Sequence, residues 1–63
     1  MKIYNEKLER INWLKRQIDM LINLYKFYKK KHFTEKANEA MELANEIEKE
    51  RIQLLQELKI QKP

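Results

Sequence analysis

The first candidates for chemistry in this 63-residue chain are carboxylates. Glu35, Glu39, Glu42 and Glu46 recur at steps of three and four, and His32 stands just before them. That spacing sets acids along one side of an α-helix, where they can hold a cation or exchange protons. The row falls on the side predicted to point away from the core and has no companion nucleophile. A solvated face is therefore the expected role. One histidine and no cysteine cannot build a structural zinc site or a disulfide. With no glycine there is no loop to cradle a phosphate. No nucleophile, base and orienting group come together, so no catalytic, cofactor or metal site is expected and the chain reads as a non-enzyme.

Binding chemistry is more promising. In Tyr25–Phe33, lysines alternate with aromatics: Lys26, Lys29, Lys30 and Lys31 among Tyr25, Phe27, Tyr28 and Phe33. Together with Lys15 and Arg16 they form a candidate nucleic-acid contact, lysines on phosphates and rings on unpaired bases. The same run suits an anionic membrane surface. Its simpler reading is a helix end whose cations complement the dipole while Tyr25 and Tyr28 turn inward. A second pattern is Trp13, Met20 and Phe27, each seven residues from the next, with Leu24 beside them. This apolar stripe lies about 130° around the helix from the main one at 100° per residue. Trp, Met and Phe are the side chains that anchor protein interfaces, and these four residues form the candidate protein interface.

These residues need two elements to hold them. Ile11, Leu14, Ile18, Leu21, Tyr25 and Tyr28 step by three and four, which predicts a first helix over about 4–31, with Tyr4 at its start. Lys29, Lys30 and Lys31 favour its C-terminal end. A turn over 32–34 follows, with Thr34 as the expected cap of a second helix over about 35–60. The second helix offers Ala37, Ala40, Ala44, Ile47, Arg51, Leu54 and Leu58. So short a turn makes the helices antiparallel neighbours. Residues whose numbers sum to 65 then meet, so Tyr28, Tyr25 and Leu21 face Ala37, Ala40 and Ala44. Large side chains opposite small ones are what an interdigitated core requires. Arg51 falls in a core layer and must reach solvent or pair, with Glu48 the nearest acid. No linker, repeat or further domain is visible.

The expected fold class is all-α: an antiparallel two-helix hairpin that dimerises into a four-helix bundle. Size argues for the dimer. A chain this short hides only about 60% of its unfolded surface, and without disulfide or metal it depends on very good packing, a partner or self-association. Symmetric dimers are the commonest assembly. The longest apolar run, Met20–Ile22, is too short to span a bilayer, and the first residues lack the apolar core of a secretory signal. A cytoplasmic setting is expected, the host cytoplasm if the gene is viral. Charge is uneven: residues 1–31 carry nine Lys/Arg against three Asp/Glu, residues 32–63 five against seven. That asymmetry hints at a polyanion or at pairing between copies.

In length and layering the chain resembles the Rop-type plasmid regulators, paired hairpins that bind an RNA kissing complex. The likeness implies an RNA-facing surface on the first helix, which is the basic half. A second, fainter resemblance is to the small sporulation phosphatases, also helical hairpins, whose signature is Ser-Gln-Glu-Leu-Asp. Here the run is Ala44-Asn45-Glu46-Ile47-Glu48, which keeps one residue of the five unchanged. The expected function is a small regulator or inhibitor that acts by binding a protein as a homodimer, with no cofactor. Nucleic-acid binding through the first helix is the alternative.

Overall fold

The computed structural model describes residues 2–60, with side-chain surroundings described from Asn5 onward, so that of Tyr4 lies outside. Among the described residues there are two helices and no strand. Helix α1 is Lys2–Lys30 and helix α2 is Thr34–Ile60. The first starts two residues before its predicted limit and ends one before it. The result is a rod of 48 × 14 × 10 Å. Its radius of gyration, 14.5 Å, exceeds the roughly 10.6 Å of a compact chain this long.

The antiparallel arrangement is visible in what crosses between helices. Lys7 Nζ lies 3.1 Å from Glu57 Oε1, and Arg10 Nε donates to Glu50 Oε2 at 3.0 Å. Near the turn the Lys36 ammonium stands 5.9 Å from the Tyr28 ring centre. Lys7–Glu57 and Tyr28–Lys36 both sum to 64, one from the predicted register. The buried core is Ile11, Leu14 and Ile18 on α1 with Ala37, Ala40, Ala44 and Leu58 on α2. All seven belong to the predicted inward series. Leu14 is the best covered large side chain, at 1% exposure.

The turn is built more tightly than its residues announce. His32 takes φ 64°, the left-handed position that usually belongs to glycine after a helix. Its N–H donates to the Lys29 carbonyl at 3.1 Å, and the Phe33 N–H donates to the Tyr28 carbonyl at 2.8 Å. These two bonds make the Schellman motif, which satisfies carbonyls the helix end would otherwise leave open. Its usual apolar contact is here too, with the Phe33 and Tyr28 rings 6.4 Å apart. The Phe33 carbonyl then accepts from the Ala37 N–H at 2.9 Å. Phe33 therefore occupies the cap position expected of Thr34, which is instead the first residue of α2. One short segment closes α1 and opens α2.

Candidate protein-interaction surface

The four predicted interface residues are all well exposed: Trp13 43%, Met20 58%, Leu24 41% and Phe27 51%. Their immediate neighbours differ. Trp13 sits in an open depression with Glu6, Glu9, Arg10, Asn12 and Arg16. The Arg10 guanidinium covers its ring at 4.7 Å while holding Glu50 of α2. This cation–π contact ties the indole, through Arg10, to the other helix. Met20, the most exposed of the four, is one helical turn before Leu24. Phe27 belongs to the turn end, edge-on to Tyr28 at 5.7 Å with Lys31 5.9 Å from its ring centre.

Leu24 alone of the four lines the groove between the helices. That groove, about 270 Å³, also takes Leu21, Tyr28, Lys36, Glu39, Ala40 and Leu43. Leu43 is 52% exposed and was missed by the sequence reading. A signal existed: Lys36, Leu43, Glu50 and Glu57 are seven apart, one row along α2. Three members of the row reach across to α1, to Tyr28, Arg10 and Lys7. Leu43 occupies the same rim with only apolar surface to offer. Of the other exposed apolar residues, Ile52 is nine positions after Leu43 and thus about 180° around α2, on the opposite side.

The basic candidates separate into two sets. Lys15 and Arg16 are exposed midway along α1, whereas Lys26, Lys29, Lys30 and Lys31 are exposed at the turn end, about 15 Å or more away along the axis. Lys29 lies 5.8 Å from the Tyr25 ring centre and Lys36 lies 6.0 Å from that of Phe33. The acidic row Glu35, Glu39, Glu42 and Glu46 is exposed throughout, and among the described residues no three His, Asp or Glu converge on a point that a metal ion could occupy. Arg51 behaves as expected, its Nη1 donating to Glu48 Oε1 at 2.6 Å. Its Nε is buried with no hydrogen-bond partner. Among the described residues no helix is long and apolar enough to cross a membrane. The chain matches no protein-family model, no curated protein and no solved structure.

Proposed function

We propose that the chain is a non-enzymatic protein-binding regulator whose working form is a homodimeric four-helix bundle. The observation that carries this is the row of open apolar side chains on and beside the inter-helix groove, Leu24 and Leu43 flanking it and Trp13 beyond. A two-helix rod has no third element to cover them. Surface area supports the same reading. The chain exposes 5318 Å², against about 4400 Å² for a compact monomer of 7.9 kDa. The excess, about 900 Å², is close to what one partner contributes to an interface of standard size. The homodimer pairs the grooves. Met20, on the outer side of α1, remains for a target protein, which the dimer regulates or inhibits by occupying it.

Trp13 is the only tryptophan, so its emission reports the assembly directly. The expected result is a blue shift as concentration rises through the micromolar range, persisting at high salt because apolar burial drives it. Leu24→Glu with Leu43→Glu should hold the emission at its dilute-solution position. Emission that stays red at every concentration contradicts the reading.

Nucleic-acid binding is the second reading, favoured by the exposure of all six basic candidates, five on α1 and Lys31 just after it. Its signature is affinity that falls steeply with salt as counterions are released, a dependence that protein docking lacks.

A further inference from the structure

Charge is densest at the turn end of the rod: residues 1–16 and 48–63 together carry net +4, but spread over 32 residues with nine Lys/Arg among five Asp/Glu. Residues 26–36 hold five lysines and one glutamate, net +4 within eleven residues. Behind them, 17–25 and 37–47 contain Asp19, Glu39, Glu42 and Glu46 and no Lys or Arg. The five lysines are all exposed. At 100° per residue Lys26, Lys29 and Lys30 spread over about 100° of α1, Lys31 follows in the turn, and Lys36 adds the α2 side. They form a collar around a blunt end, with no track along one flank. Within the collar Phe27 and Phe33 are each about half exposed, at 51% and 50%.

From this we propose that the turn end is a docking surface for an anionic phospholipid bilayer, met end-on by the rod. A plane of lipid headgroups reaches every lysine of a collar at once, whereas a nucleic-acid strand lies along one side of it. All five cations are lysines, which act as point charges suited to a diffuse negative surface, with no guanidinium fork for gripping single phosphates. Phenylalanine has no polar handle and gains from leaving water at the acyl boundary. Lys31 stands over the Phe27 ring and Lys36 over those of Phe33 and Tyr28, which occupies faces a base would need for stacking. At a bilayer the same lysines extend to the headgroups and leave the rings to sink between them. The Schellman turn fixes Phe33 at the apex through its backbone bond to Tyr28.

The test is flotation of the full chain with vesicles of phosphatidylcholine containing about one-third phosphatidylglycerol, in about 0.1 M salt, where surface charge is still felt. Expected is binding to these vesicles and none to pure phosphatidylcholine. Lys29→Gln, Lys30→Gln and Lys31→Gln together should cut partitioning about a hundredfold, near fivefold per cation. Lys15→Gln with Arg16→Gln removes charge elsewhere on α1 and should change it less than about twofold, these side chains lying beyond a Debye length from the surface. Phe33→Ser, with helix content checked by circular dichroism, should cost about tenfold more. The proposal is overturned if the anionic vesicles are not bound, or if the Lys15/Arg16 pair matters as much as the turn lysines. It is equally overturned if a short single-stranded RNA is bound more tightly than the vesicles. Lys36 lines the Leu24–Leu43 groove, but none of the substituted residues does, so their effects are separable from the outcome for the dimer.

Discussion

The half of the rod next to the turn and the half at its open end solve the same packing problem with different side chains. Toward the open end the helices meet over Ile11, Leu14, Ile18 and Leu58, and the rims are closed by Lys7–Glu57 and Arg10–Glu50. Toward the turn they meet over Ala37, Ala40 and Ala44, all buried. Small residues let the backbones approach and leave little interior volume. The bulky side chains of the same turns, Leu24, Phe27, Phe33 and Leu43, therefore stay largely in water. The groove bordered by Leu24 and Leu43 lies beside this alanine core. The open half buries its large inward residues and keeps charge at its rims, while Leu8, Trp13, Ile52 and Ile60 stay exposed. The difference teaches that the apolar surface bordering the inter-helix groove lies where the core is thin.

The comparison can be broken most strongly at Leu14. Leu14→Ala empties the best-covered site of the open half and should cost about 2–5 kcal/mol, enough to leave a domain this small largely unfolded in thermal denaturation followed by circular dichroism. A loss well under that range would mean that the open half is not the stabilising one. Ala44→Leu asks the converse of the turn half. At 4% exposure it has no room for three more carbons, and a destabilisation of about 1–3 kcal/mol is expected in urea titration. Should the variant be more stable than the parent, the thin core is not tightly closed.

Two smaller effects run in the stabilising direction. Arg51→Leu removes a charge held only by Glu48 and an Nε left without a partner, and should raise stability by about 1 kcal/mol. A lower melting temperature would show that the pair contributes more than it costs. His32→Gly relieves the left-handed backbone at the turn and should add about 0.5–1 kcal/mol. An unchanged chemical-denaturation midpoint would indicate that the imidazole contributes something the backbone argument omits.

Much of this was legible beforehand because helical spacing and a short polar break leave few arrangements. The inward series named every buried residue, and the Arg51–Glu48 pair followed from a charge in a core layer. The turn was less legible. A left-handed residue is announced by Gly or Asn, and His32 gives only a weak signal of it. The cap moved from Thr34 to Phe33 because the Schellman bonds, not a hydroxyl, set where α2 begins. The stripe of Trp13, Met20, Leu24 and Phe27 was correct in exposure, but its unity came from spacing along α1 alone. Which of its members borders a groove depends on the neighbouring helix, and so Leu24 was joined by Leu43. Charge was counted by halves of the chain. Folding the halves side by side turned that asymmetry into one between the turn end and the middle of the rod.

The central claim, that the open groove is covered by a second copy, is tested most directly by molar mass from light scattering across a dilution series. The account predicts twice 7.9 kDa at tens of micromolar, falling toward 7.9 kDa on dilution and pinned there by Leu24→Glu with Leu43→Glu. A mass of 7.9 kDa at every concentration, with both helices intact, would contradict it.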